Sequence, residues 1–136
     1  MSKRGLDVAH IFPIRVYYED TDMAGIVYYA NYLRYIERAR SDWVREIGVD
    51  QNAMKSDAGV VFAVRRVEAD YLSPAHFDDQ LTVETNTVNV TAARLVMEQS
   101  VKRGQEVLFQ AIVTIVCISE TGHPTRLPAN IRLMLH

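Results

Sequence analysis

The chain has one cysteine, Cys117, which excludes an internal disulfide, and no grouping of Cys and His has the spacing of a zinc site. Its four histidines, His10, His76, His123 and His136, lie far apart in sequence. Charge of one sign is also missing: 15 Lys and Arg against 17 acids leave a net charge of -2, with no global basic field for nucleic acid. No apolar run approaches the roughly 18 residues of a membrane span. The opening "MSKRGLDVAH" is basic but lacks an apolar core of signal-peptide length. No serine sits in a Gly-x-Ser-x-Gly context, so a serine-triad hydrolase has no support. Repeats, linkers and low-complexity tracts are absent as well. The expectation is a soluble cytoplasmic protein of one domain, residues 1–136, with no nucleic-acid partner, no membrane span and no bound metal.

What the chain does have is a clear change of period. "IFPIRVYYE" (11–19) is β-branched and aromatic, and its early Pro13 suits a strand start or an edge. From about residue 29 the apolar spacing becomes helical, through Tyr32, Leu33, Ile36, Ala39, Trp43, Val44 and Ile47, with Arg34, Glu37, Arg38, Asp42 and Arg45 on the other side. Gly48 stops this helix, and "VDQNAMKSDAG" reads as a connecting loop. Four extended segments follow, "VVFAVRRVEADYL", "QLTVETNTVNVT", "ARLVMEQSVKRG" and "EVLFQAIVTIVCIS", with separators short enough for a consecutive antiparallel meander. The last of them is apolar on both alternations, which predicts burial on both faces and a second subunit over one of them. "ETGHPTRLP" ends the sheet in a turn, and "ANIRLML" reads as a short strand or helical turn.

The stretch "VYYEDTDMAGIVYYANYLRYIERAR" (16–40) gathers Glu19, Asp20 and Asp22 ahead of Gly25 and the helix. Two readings of Asp22 stay open. As an N-cap it would accept hydrogen bonds from free backbone N–H groups, for about 1 kcal/mol. Alternatively Asp20 and Asp22 share a face, and the apolar "MAGIVYY" strips hydration from a carboxylate whose like-charged neighbour raises its pKa further. That arrangement suits a general base or nucleophile, with Asp20 in support. The first N–H groups of the helix would polarise a carbonyl placed beside them, and Gly25, without a Cβ, would let substrate approach the backbone.

Taken together, "YYEDTDMAGIVYYANYLRYIERAR", "ADYLSPAHFDDQL" and the closing "RLP" resemble the hot-dog-fold acyl-CoA thioesterases of the 4-hydroxybenzoyl-CoA thioesterase family. Within that family the chain resembles the bacterial Tol-Pal-associated acyl-CoA thioesterases. The resemblance covers nearly the whole chain, and the first motif is the specific one. It implies an α+β hot-dog fold, a long central helix wrapped by a curved antiparallel sheet of about five strands. The implied activity is hydrolysis of an acyl-CoA thioester, coenzyme A being part of the substrate and no separate cofactor being needed. Carried over by position, the family's catalytic aspartate falls on Asp22, as nucleophile or as base for water. The backbone N–H that holds the thioester carbonyl falls at Tyr29. Beside these, Gly25 and Tyr28 are candidate substrate contacts read from the residues themselves, and Arg65 and Arg94 candidate phosphate contacts that otherwise read as ordinary solvated cations. Family members are dimers joined edge to edge, often paired into homotetramers, with active sites at the subunit boundary; acyl carrier protein is a further implied partner. Two departures stand out. The residue matched to Tyr29 is His in some relatives, which leaves only its backbone a role. The corner "VTAARLV" lacks the basic cluster of some aromatic-thioester relatives and keeps Arg94 alone.

The remaining candidates read as structural. Glu37 can pair with Arg34 or Arg40 at helical spacing. Arg65 and Arg66 alternate across their strand, Arg126 reads as a solvated cation or phosphate contact, and Cys117 as a core residue. The tyrosines 28, 29, 32 and 35 have the spacing of packing residues, with room for one to line an acyl pocket. His76 is assigned no role. Two competing functions remain: a non-catalytic acyl-binding or scaffold protein that meets acyl carrier protein and envelope-associated partners, and a dehydratase, which would need a His that the helical region lacks.

Overall fold

The computed structural model describes residues 9–135, so the opening "MSKRGLDV" and His136 lie outside the described residues. Strand β1 (His10–Arg15) is followed by a 3-10 turn at Tyr18–Asp20 and by helix α1 (Asn31–Glu46). A short helix α2 (Gln51–Ala53) continues into a π-helical turn at Met54–Ala58. Strands β2 (Val60–Tyr71), β3 (Gln80–Val90), β4 (Arg94–Arg103), β5 (Glu106–Ser119) and β6 (Pro124–Thr125) precede a final helix α3 (Ala129–Leu135). The strands pair antiparallel in the order β1-β3-β4-β5-β2, and β6 pairs with β5. This is the hot-dog α+β architecture, a long helix held by a curved antiparallel sheet.

Curvature has an identifiable source. Register shifts interrupt β2 between Val64 and Arg66, β3 between Thr87 and Asn89, and β5 between Val107 and Phe109. Each such irregularity bends its strand and increases local twist, so the sheet wraps the helix. The core lies between them: Tyr32, Tyr35, Ile36 and Ala39 of α1 pack over Val83, Leu95, Met97, Phe109, Ala111 and Val113, all buried. One polar residue sits inside this core. Gln99 has no exposed surface; its Nε2 donates to the Ile36 carbonyl at 2.9 Å and to Thr85 Oγ1 at 3.0 Å, which offsets the cost of burying an amide.

The strand order departs from the expected four-strand meander. Only β3, β4 and β5 form one; β2 pairs with β5 at the far edge, and residues 72–79 cross the end of the sheet to reach β3. Backbone bonds pin that crossing, from the N–H groups of Leu72 and Ser73 to the Leu108 carbonyl and between Val16 and the pair Asp78 and Asp79. The same bonds end the first strand at Arg15 instead of Glu19, because Val16 is diverted into the crossover. Helix α1 starts at Asn31, two residues later than its apolar period suggests, and stops as expected with Gly48 at φ 95°. The segment read as a loop holds helical turns, the first capped by Asp50, whose carboxylate accepts from the Asn52 and Ala53 N–H groups. "ANIRLML" is helical. On β5, Phe109, Ala111, Val113, Ile115 and Cys117 are buried, while Ile112, Val116 and Ile118 on the other face are half-buried. Within one chain the expected burial is therefore complete on one face only.

Candidate active site

Between β1 and α1 the chain folds into a small antiparallel loop. Thr21 bridges Val27, the Asp22 N–H donates to the Ile26 carbonyl at 2.9 Å, and the Gly25 N–H donates back to the Asp22 carbonyl at 3.0 Å. Gly25 closes this turn at φ 79°, a left-handed conformation that side chains disfavour. No atom of this chain lies within 4 Å of where its Cβ would be, so backbone conformation, not close approach within the chain, is what requires glycine here. The loop docks on the crossover through the Val27 N–H to the Ala75 carbonyl and a bridge between Ile26 and His76.

Asp22 sits at the exposed tip of this loop, and its Oδ1 accepts the Ala24 N–H at 2.9 Å. Neither sequence reading of its surroundings holds within one chain. It is not the helix N-cap, because α1 begins nine positions later, and it is not enclosed by the apolar residues that follow it. Asp20 is the buried acid: its carboxylate accepts the Tyr17 N–H at 2.8 Å, and its carbonyl accepts from the Tyr28 N–H and the Asn31 side chain. These bonds hold the turn, and none of them reaches Asp22. The buried Tyr35 hydroxyl lies near this carboxylate without hydrogen-bond geometry to it, and burial first, then the charge of Asp20, raises the tyrosine pKa.

Helix α1 has no side-chain cap. Its N-cap is Ala30, and among the described residues the Tyr29 and Ala30 N–H groups meet no protein acceptor. Ala at this position forgoes about 1 kcal/mol that Ser or Asp would supply. Beside this bare helix start opens a crevice of about 320 Å³, lined by Ile26, Val27, Tyr29, Tyr32, Tyr71, Leu72, Ser73 and Pro74, none of them charged. Tyr71 was not singled out in the sequence, yet it joins the site: its hydroxyl donates to the Tyr29 carbonyl at 3.1 Å, and its ring meets those of Tyr29, Tyr32 and Phe109. Tyr28 and Tyr29 precede the helix and are exposed, their ring centroids 4.9 Å apart, whereas Tyr32 and Tyr35 are core residues. Of the four residues singled out here, Tyr29 lines the crevice, while Asp22, Gly25 and Tyr28 lie on the loop that leads to it.

The two arginines lie elsewhere in the chain. Arg65 is the extra residue of the β2 bulge, which breaks the simple alternation with Arg66, and it is about 20 Å along the strand from Tyr71. Arg94 opens β4, at the end of the sheet opposite the crossover and about 30 Å along β4 from Arg103. There the polypeptide after β5 returns: the Leu127 N–H donates to the Ala92 carbonyl, and Arg126 and Arg132 line a shallow depression with Ala92. Arg94 itself does not line this depression; Arg132 reaches the corner at Ala92 only through tertiary folding, which local sequence could not reveal.

Other groups resolve as structural. Glu37 accepts the Ser41 hydroxyl at 2.8 Å instead of pairing with Arg34 or Arg40. Sequence-distant His10, Asp42 and Glu46 converge, with His10 Nε2 at 2.9 Å from Asp42 and 3.9 Å from Glu46. The other ring nitrogen of His10 is buried without a partner, whereas a metal-bound imidazole normally donates its second N–H to an acceptor. The trio fits a hydrogen-bonded tie between β1 and α1. Burial pushes the Cys117 thiol up to about 11, which suits a core residue and not a nucleophile.

An antiparallel sheet around one long helix, with an acid-bearing turn at an uncapped helix start, defines a hot-dog protein of the thioesterase type. The comparisons place it further. The model of the thioesterase-like superfamily matches residues 16–135. The acyl-CoA thioesterase YbgC of Haemophilus influenzae is 36% identical over 133 residues, covering 96% of this chain and 97% of the relative. The acyl-CoA thioester hydrolase YbgC of Escherichia coli is 36% identical over 122 residues, covering 88% and 90%. A probable thioesterase from Bartonella henselae superposes with a TM-score of 0.84 at 40% identity, over 89% of this chain and all of that one. The chain belongs to the thioesterase-like superfamily.

Proposed function

We propose that this protein hydrolyses the thioester of acyl-CoA. The observation that carries the reading is the uncapped start of α1, where an N–H without a protein acceptor stands at the mouth of an uncharged crevice, one short loop away from an exposed carboxylate. A helix start left bare forgoes stability, and a carbonyl oxygen bound there would supply the missing acceptor. The thioester oxygen would lie against the Tyr29 N–H as it gains negative charge. Asp22 would then either attack the carbonyl carbon or take a proton from water that attacks it. In both routes one water is consumed, the carbon–sulfur bond breaks, and a free acid and free coenzyme A leave. Neither route calls for a cofactor beyond the substrate. The names of the YbgC relatives support acyl-CoA as the substrate class.

The exposure of Asp22 supports a second part of the reading. A carboxylate in open water has no means of excluding bulk solvent from the reaction, so the site is to be completed by a second copy. Edge strand β2 offers the place: Val64, Val67 and Tyr71 are exposed along it at 47%, 38% and 48%. Two β2 strands paired antiparallel around a two-fold would set the first half of one against the second half of the other. The arginine group of one subunit, Arg94 with Arg126 and Arg132, would then serve the nucleotide phosphates of coenzyme A bound at the other, with Arg65 nearer the axis. Dimers of this kind, pairing into tetramers, in the cytoplasm and with acyl carrier protein as an alternative carrier, complete the proposal. No helix among the described residues is long and apolar enough to cross a membrane.

The test is free-thiol release from a panel of short, long and aromatic acyl-CoAs. Asp22→Asn is expected to lose about 10²- to 10⁴-fold in kcat, the range for a lost acid-base group, while its melting temperature stays within a few degrees of the wild type. Equal turnover by the variant rejects the mechanism. No turnover on any thioester, acyl carrier protein conjugates included, favours the acyl-binding scaffold reading.

A further inference from the structure

The two groups on which the proposed reaction depends belong to different pieces of the chain. Asp22 sits on a short ladder in which residues 20–22 face residues 26–28: the Tyr28 N–H donates to the Asp20 carbonyl at 2.9 Å, Thr21 bridges Val27, and the Asp22 N–H donates to the Ile26 carbonyl at 2.9 Å. The Tyr29 N–H stands instead at the approach to α1, whose first turn is seated in the core by the buried Tyr32. Along the backbone only Tyr29 and Ala30 join ladder to helix. The crossover holds the returning strand of the ladder, through the Val27 N–H to the Ala75 carbonyl and the bridge from Ile26 to His76. The outgoing strand, which carries Asp22, has a different anchor.

That anchor is Asn31, the first residue of α1. Its Nδ2 turns back across the joint and donates to the Asp20 carbonyl at 2.9 Å, while its backbone N–H donates to the Tyr28 carbonyl at 2.8 Å. The Asp20 carbonyl thus takes two donors, one from the ladder and one from the helix. Asp20 cannot drift to follow either, because it is buried and its carboxylate accepts the Tyr17 N–H at 2.8 Å. For the helix itself an asparagine here is no help: it is a weaker helix former than leucine, and α1 has no side-chain cap. Among the described residues the Asp20 carbonyl is the one hydrogen-bond partner of its amide.

Resting on the thioesterase reading above, we propose that Asn31 is a positioning residue: by bonding the Asp20 carbonyl it fixes the ladder against the helix, and so holds the Asp22 carboxylate in register with the Tyr29 N–H. A thioester whose oxygen lies on that N–H must bring its carbon within about 3–3.5 Å of the attacking oxygen, and a displacement of about 1 Å costs up to about 10²-fold in rate. Asn31 does not line the crevice, so its loss leaves the walls that bind substrate in place. The signature is therefore a fall in kcat with KM kept.

The test is Asn31→Leu, which keeps the branched shape, removes the donor and favours the helix. Expected are a kcat lower by about tenfold or more, a KM within about twofold of the wild type and a melting temperature that does not fall. Asn31→Asp also lacks the donor and places an acid in the first helical turn, so its stability is expected to hold or rise while turnover falls. In the Asp22→Asn background the effect of Asn31→Leu is expected to shrink to near one, since there is no carboxylate left to place. An unchanged kcat, a rise in KM alone, or the same loss with and without the Asp22 carboxylate overturns the proposal. If the wild type turns over no thioester, the thioesterase reading fails by itself, and hydrogen exchange read by mass spectrometry decides the anchor. Faster exchange in Asn31→Leu confined to residues 20–30, with β4 and β5 unchanged, upholds it, and unaltered exchange over residues 20–30 rejects it.

Discussion

Helix α1 is finished differently along its two sides. On the β1 side, His10 reaches across to Asp42 and Glu46, and the aromatic ring of Phe12 stacks on the imidazole at 6.5 Å, so the helix is fastened to the sheet edge. Toward β2, two helix charges, Glu37 and Arg40, border a cavity and among the described residues meet no strand residue of opposite charge. The strand there is long, paired on one side only, and shows apolar side chains to water. A closed flank spends its polar groups on the fold, whereas an open one keeps them for a ligand or a second copy. The uncapped helix start opens toward this side, where Tyr71 of β2 bonds the Tyr29 carbonyl.

The strongest way to break this contrast is to damage the open flank without touching its chemistry. Val67→Asp places a charge on the inner face of β2, where a second copy is proposed to approach and where the single chain leaves Val67 partly in water. The expected result is a monomer by light scattering and a loss of about 10²-fold in turnover, the scale of a misassembled site, with the circular dichroism of the fold retained. A fully active monomer would remove the second copy from the site.

The closed flank gives the opposite signature. His10→Ala removes the bond to Asp42 and the stacking on Phe12, and is expected to lower unfolding free energy by about 2 kcal/mol while turnover per folded molecule stays unchanged. Urea unfolding monitored by fluorescence, alongside the thiol-release assay, checks both halves. If turnover falls with stability held, the two sides of the helix do not divide fold from function.

How much of this was legible in the sequence differs between the two flanks for a physical reason. Periodicity located α1, the strand segments and the core face, because burial on one face imposes a repeat of 3.6 or 2 residues. The turn that Gly25 closes at φ 79° was not legible, because the stretch reads as a strand running straight into a helix. Strand order was not legible: a seven- or eight-residue separator suits a hairpin or a crossover equally, and the bonds of Leu72 and Ser73 to Leu108 that decide it are long-range. For the same reason the sequence could not pair His10 with Asp42, Arg40 with Gln99, or Arg132 with the corner at Ala92. Asp22 was misplaced as a cap or a buried acid because composition of neighbours predicts burial only if they pack around it, and here they pack on the crossover instead.

The crossover itself offers the smallest and most specific test. Burial works against the Asp79 carboxylate, but the His76 N–H at 2.8 Å and the Arg103 guanidinium at 2.7 Å more than offset it, so its pKa is held below the ordinary 3.8. A depressed folded-state pKa contributes stability that is fully present above the unfolded value and is lost as pH falls through the folded one. Asp79→Asn cannot ionise, so it should be less stable than the wild type by about 1 kcal/mol at neutral pH, with the gap closing as pH falls below the ordinary 3.8 and through the lower folded-state value. Urea midpoints measured from pH 7 down to pH 2.5 follow that closure. A gap that stays constant across this range would mean that Asp79 holds the crossover by shape alone, and that the seat of the Ile26 and Val27 loop against Ala75 and His76 does not depend on its charge.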